Sequence, residues 1–133
     1  MPRRTKKPKP LRVVIADDHR LFAEALEAIL AADERIEVVG QAGDGSKAVE
    51  LARTLDPDLV LMDVSMPVLD GFEATREIRA AAEDVRVLML TGSNSRADVD
   101  RSREAGASGY ITMDRIASEL VAAIVEVSRR RLP

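Results

Sequence analysis

Three aspartates and a threonine stand where apolar runs stop. Val13-Val14-Ile15-Ala16 ends abruptly in Asp17-Asp18, Leu59-Val60-Leu61-Met62 runs straight into Asp63, and Val85 to Leu90 ends at Thr91. Carboxylates gathered in this number repel one another and call for a cation. An all-oxygen donor set favours a hard ion, Mg2+ in a cell. A dication beside an aspartate suits phosphoryl transfer onto that aspartate, because it neutralises charge on the transferring oxygens. The plainer reading, solvated loop or cap residues, suits any one of these aspartates better than it suits three.

Whether they meet depends on the elements that carry them. From Leu11 the chain alternates between β-branched runs and helical spacing. Strand one is followed by Phe22, Leu26, Ile29 and Leu30 on one helical face. Ile36, Val38 and Val39 give a second strand. Asp44 is a candidate N-cap for a helix with Ala48, Leu51, Ala52 and Leu55 on one side, stopped by Asp56-Pro57. After the third strand, Pro67 and Asp70-Gly71 punctuate a loop before a helix over Phe72 to Ala82. The fourth strand leads through Gly92-Ser93-Asn94-Ser95 to a weakly apolar helix from Arg96 to about Glu104. Ser108 to Thr112 is a short fifth strand, and Asp114 is the expected cap of a last helix ending near Arg130.

Near-continuous apolar strands alternating with helices predict an α/β fold, a doubly wound five-stranded parallel sheet flanked by five helices. The expected order is 2-1-3-4-5. In such sheets ligands bind at the carboxyl ends of the strands, where the winding reverses. That order makes strands one and three neighbours, so Asp17, Asp18, Asp63 and Thr91 converge on one rim.

The chain has 133 residues, room for one domain. It contains no cysteine, which excludes disulfides, thiolate metal sites and cysteine nucleophiles. No apolar run is long enough to span a bilayer, and the N-terminus lacks the apolar stretch of a signal peptide, so a cytoplasmic protein is expected. Net charge is −3, yet Arg3, Arg4, Lys6, Lys7 and Lys9 fall in the first ten residues with no acid. Removing those five cations leaves −8 on the remainder. The folded part is therefore acidic and unsuited to nucleic acid, while residues 1–10 read as a disordered basic tail.

The residues also resemble a family. Asp17-Asp18-His19, Leu61-Met62-Asp63-Val64-Ser65-Met66-Pro67 with Asp70-Gly71, Thr91, and Gly106-Ala107-Ser108-Gly109-Tyr110 together resemble the bacterial two-component receiver domain, with its flavodoxin-like fold. The details look like receivers that precede helix-turn-helix output domains. The likeness runs from about Leu11 to Val127, and the domain is placed at 11–128, with 129–133 a C-terminal tail or truncated linker. It implies that Asp63 accepts phosphate from a sensor histidine kinase. Asp17, Asp18, Asp63 and the backbone carbonyl of Ser65 would hold Mg2+, Asp17 mainly through water. Thr91 would contact a phosphoryl oxygen, and Tyr110 would move between exposed and buried rotamers, or else be an ordinary half-buried ring. Ser65 and Ser93 occupy positions that in the family influence hydrolysis of the acyl phosphate. His19 reads as a structural or partner-facing residue rather than a ligand.

One position departs from the pattern. The family carries a lysine three residues beyond the aromatic, and here that residue is Met113, with no lysine anywhere after Lys47. Without that cation at least one carboxyl pKa should be raised in the absence of metal. Arg115 is the nearest substitute, although its place at a helix start favours an outward direction.

The last helix carries a wide apolar stripe: Ile116, Leu120, Ala123, Ile124 and Val127, broadened by Val121 and Val125. Either strand five and this helix form a flank for a homodimer or an unknown downstream protein target, or the helix is sunk deeper in the core. Three functions remain in order. The first is a phosphorylatable switch; the second is an interaction module of the same fold that signals without phosphate, favoured by Met113. A phosphohydrolase ranks last, because Ser65 stands where such enzymes carry a general acid. A nucleotide- or flavin-binding role is disfavoured by the lack of a glycine-rich loop after strand one.

Overall fold

The computed structural model describes residues 9–92 and 95–129. Most of the basic N-terminal stretch, Ser93, and the segment from Arg130 onward lie outside the described residues. Eleven elements follow in order: β1 (Leu11–Ala16), α1 (Arg20–Ala31), β2 (Ile36–Ala42), α2 (Gly45–Leu55), β3 (Leu59–Asp63), α3 (Gly71–Ala81), β4 (Arg86–Thr91), α4 (Arg96–Ala105), β5 (Gly109–Thr112), a 3-10 turn (Met113–Arg115) and α5 (Ile116–Arg129). All strand pairs are parallel, in the order β2-β1-β3-β4-β5. This is the doubly wound sheet expected from the sequence.

The pleat explains why both faces must be covered. On β1, β3 and β4, Val13, Ile15, Leu59, Leu61, Leu88 and Leu90 face one way, toward Ala23, Leu26 and Leu30 of α1 and Ile116, Leu120, Ile124 and Val127 of α5. The alternate residues Val14, Ala16, Val60, Met62, Val87 and Met89 face Ala48 and Ala52 of α2, Phe72, Ala74 and Ile78 of α3, and Ala105 of α4. A run with no polar residue is thus a strand buried on both sides. The breadth of the α5 stripe is likewise explained by burial: Val125 is 8% exposed and Val121 and Ala123 are half-buried, so the helix lies deep against the sheet.

The helix ends follow local chemistry. Asp44 caps α2 by accepting from the Lys47 N–H at 2.8 Å, and Asp70 caps α3 by accepting from Glu73 N–H at 2.9 Å. Asp56 closes α2 in the left-handed region, φ 46°, just before Pro57. Arg12 of β1 donates to the Leu55 and Asp56 carbonyls at 2.7 and 3.0 Å, satisfying oxygens that the helix leaves bare. One expected cap is corrected. Asp114 lies inside the 3-10 turn rather than before a helix, and the residue ahead of that turn, Thr112, makes no side-chain capping bond. The chain leaves β5 directly into this tight turn, so no extended residue is left at 114 to cap α5.

Candidate acidic phosphoacceptor site

The register brings the carboxyl ends of β1, β3 and β4 level. Ala16 pairs with Met62, so the next residues, Asp17 and Asp63, end adjacent strands; Asp63 pairs with Leu90, one residue before Thr91. Asp17, Asp63 and Thr91 are buried, at 4%, 5% and 2% exposure, and Asp18 lies nearer the surface. Oxygens of Asp17, Asp18 and Asp63 and a nitrogen of His19 all lie within 4.8 Å of one another. The acids from two strand tips, 46 positions apart, form one pocket.

The two buried carboxylates are each held by their own loop. Asp17 Oδ1 accepts the His19 N–H at 2.7 Å, and Asp63 Oδ1 accepts the Ser65 N–H at 3.2 Å. Asp17 Oδ2 is buried with no hydrogen-bond partner among the described residues. A buried carboxylate oxygen without a donor is costly unless something absent supplies positive charge. An oxygen-rich donor set with an orphaned oxygen fits a divalent cation.

The electrostatics agree. Burial pushes the Asp63 carboxyl up from 3.8 to about 6; the Ser65 N–H opposes this, and the charges of Asp17 and Asp18 add to it. Asp17 is also raised, again chiefly by burial. The expected upward shift is present, but its first cause is burial, ahead of repulsion among the acids.

The other side chains singled out by the sequence lie around this pocket as follows. His19 holds its largely exposed imidazole over the rim of the pocket, with Nδ1 3.1 Å from Asp18 Oδ1 and 3.4 Å from Asp17 Oδ1. It is the chain's only histidine, and it directly follows two acids at a strand end. Arg115 points away: its Nε lies 3.6 Å from Glu119 Oε2 on the solvent side, so it does not replace the missing lysine. Met113 follows Thr112, the partner of Thr91 across β4 and β5, and is 37% exposed. Tyr110 is 44% exposed, its ring between a cleft lined by Val99 and Arg103 and another lined by Arg115 and Glu119. Ser65 is exposed.

The loop carrying Asp63 is packed too tightly for a side chain at Gly71. A Cβ there would overlap the Asp63 carbonyl oxygen and stand 2.7 Å from Val64 Cα. The Gly71 N–H donates to the Val64 carbonyl at 3.0 Å, closing the loop onto α3.

Residues 13–125 match the family described as "Response regulator receiver domain". The chain belongs to the response-regulator receiver family. It is 45% identical over 123 residues to the transcriptional regulatory protein PdtaR of Mycobacterium tuberculosis, covering 92% of this chain and 59% of that protein. It is 40% identical over 119 residues to the transcriptional regulatory protein DegU of Brevibacillus brevis, covering 90% of this chain and 50% of that one. The receiver thus spans about half the length of the curated relatives it matches. Among solved structures, the signal receiver domain of the response regulator NarL from M. tuberculosis superposes with a TM-score of 0.89 at 34% identity, covering 93% of this chain and all of that one. Among the described residues of this receiver no helix is long and apolar enough to cross a membrane.

Proposed function

We propose that this receiver accepts a phosphoryl group on Asp63 from a sensor histidine kinase in the cytoplasm, and passes the signal on by protein–protein contact. The observation that carries the reading is the buried Asp63 carboxylate at the tip of β3, beside Asp17 with its orphaned oxygen. Asp17, Asp18, Asp63 and the Ser65 carbonyl would hold Mg2+, which when bound supplies positive charge to the acids and to the transferring oxygens. Asp63 is the nucleophile. One of its oxygens forms the new bond to phosphorus as the bond to the kinase's imidazole breaks, and the imidazole leaves with the electron pair. The Ser65 N–H on Oδ1 holds the carboxylate in place for that approach. The Thr91 hydroxyl, buried at the tip of the neighbouring strand, is assigned to a phosphoryl oxygen. Tyr110 is the exposed ring whose burial would report phosphorylation on the face shared by α4 and β5.

The test is incubation with Mg2+ and acetyl phosphate or phosphoramidate, followed by intact mass. Addition of one phosphoryl group, abolished in Asp63→Asn, is the expected result. Failure of every donor would favour the second reading, an interaction module that works without phosphate, for which Met113 speaks. A charge-assisted bond from lysine to the phosphoryl group contributes on the order of 1.5–3 kcal/mol, and methionine cannot supply it.

A further inference from the structure

We propose that His19 is a nitrogen ligand of the acidic pocket, and that it makes the pocket prefer first-row transition dications, nickel and zinc in particular, over magnesium. This rests on the reading of Asp17, Asp18 and Asp63 as an ion-binding group. Two observations support it independently of each other. The first is the orphaned Oδ2 of Asp17, in a carboxylate that is 4% exposed and belongs to this cluster. The second is where the imidazole points. His19 is the N-cap residue of α1, yet its side chain makes no capping bond. Instead Nδ1 is turned back over the strand tip, 3.1 Å from Asp18 Oδ1 and 3.4 Å from Asp17 Oδ1.

Those separations are what ligands of one ion require. Donors bound about 2.1 Å from a first-row ion stand about 3.0 Å apart at a right angle and about 3.4 Å apart at a tetrahedral angle. Nδ1 meets both acids at such spacings. Magnesium takes oxygen and dehydrates reluctantly, and gains little from an imidazole. Nickel and zinc bind imidazole well and stand above manganese and iron in affinity for nitrogen and oxygen sites. His19 is partly open to solvent at the mouth of the pocket, its side chain 73% exposed, so an ion would be closed on the outer side by nitrogen and held inside by carboxylates. On binding, Nδ1 offers its lone pair to the ion, and any proton it carried passes to Nε2 or to water.

The chain has one histidine and no cysteine, which makes the test unambiguous for an untagged protein. Affinities for Mg2+, Ni2+ and Zn2+ are measured calorimetrically on the native chain, His19→Ala, His19→Gln and Asp17→Asn. Imidazole nitrogen chemical shifts are followed by NMR on adding Zn2+. The expected result is a loss of roughly tenfold or more in Ni2+ and Zn2+ affinity in both His19 variants, with Mg2+ affinity changed by less than about threefold. Zinc should bring the Nδ1 resonance to the range of a metal-bound nitrogen, with Nε2 in the range of a protonated one. Because the His19 side chain caps nothing and is largely exposed, these variants should remain folded, as a cooperative melting transition would show. Unchanged Ni2+ affinity in His19→Ala with Mg2+ still bound would overturn the ligand assignment alone, as would equal losses for all three ions. Absence of any dication binding to the native chain, or no effect of Asp17→Asn, would instead remove the acidic pocket reading on which it rests.

Discussion

Asp63 titrates in an unusual range because it is buried among like charges, and this has a definite sign. Its folded-state value, about 6, lies above the ordinary 3.8. Between those values the metal-free folded protein keeps a proton that the unfolded chain has released. Stability is therefore fully present below about pH 4 and falls as pH rises through about 6, by on the order of 3 kcal/mol. Urea unfolding in chelator across pH 4 to 7 should show the decline, and Asp63→Asn should flatten much of it; a native profile that rises over that window contradicts the assignment. Saturating Mg2+ should reverse the decline above pH 6, since a ligand bound only by the folded state stabilises it. Met113 offers the complementary test. Met113→Lys places an ammonium beside the rim, so Mg2+ affinity should fall several-fold while stabilisation of the phosphorylated form increases, both read by calorimetry and melting with a phosphate mimic. Identical behaviour of the two chains would mean that position 113 does not reach the pocket.

At the scale of elements, the strands and the helices were written in the sequence, and the contacts between loops were not. Asp17, Asp18, Asp63 and Thr91 could be placed at one rim because each ends an apolar run, and a parallel sheet puts such ends together. The direction of the His19 imidazole could not be read, since periodicity fixes which face a residue occupies and says nothing of a rotamer in a connecting loop. Asp114 was misplaced because a 3-10 turn and a capped helix start share the same residue types. β2 continues through Gly40 and Gln41 to Ala42, beyond the β-branched run that marks it, because a register shift opposite Val13 and Val14 carries the pairing on. The role of Gly71 also emerges only in three dimensions. Its φ is ordinary, and what requires glycine is the Asp63 carbonyl standing where a Cβ would be. Gly71→Ala should displace the loop after β3 and weaken Mg2+ binding and phosphorylation of Asp63 by tenfold or more, while Asp70→Ala, which removes only the cap, should cost about 1 kcal/mol and leave both nearly intact. Calorimetry on the pair separates a positioning effect from a stability effect; equal losses in both would sink the distinction.

The whole molecule has two apolar layers that share one sheet, and that sharing sets how it unfolds. Leu61 and Met62 are neighbours on β3, both fully buried, yet Leu61 packs toward α1 and α5 and Met62 toward α2, α3 and α4. Truncating either leaves a cavity in one layer only, and each should cost roughly 2–5 kcal/mol. If the layers were independent, each variant would loosen one set of helices and leave the other folded. They are not independent, because β1, β3 and β4 contribute alternate residues to both, and no strand can leave one layer without leaving the other. Leu61→Ala and Met62→Ala should therefore each unfold in a single transition by both circular dichroism and Tyr110 fluorescence, with a lower urea midpoint and an unchanged slope. Separate transitions by the two probes would show that the sheet does not couple the layers, and with that would go the route proposed for a charge on Asp63, at the tip of the central strand β3, to reach the surface at Tyr110 through β4 and β5.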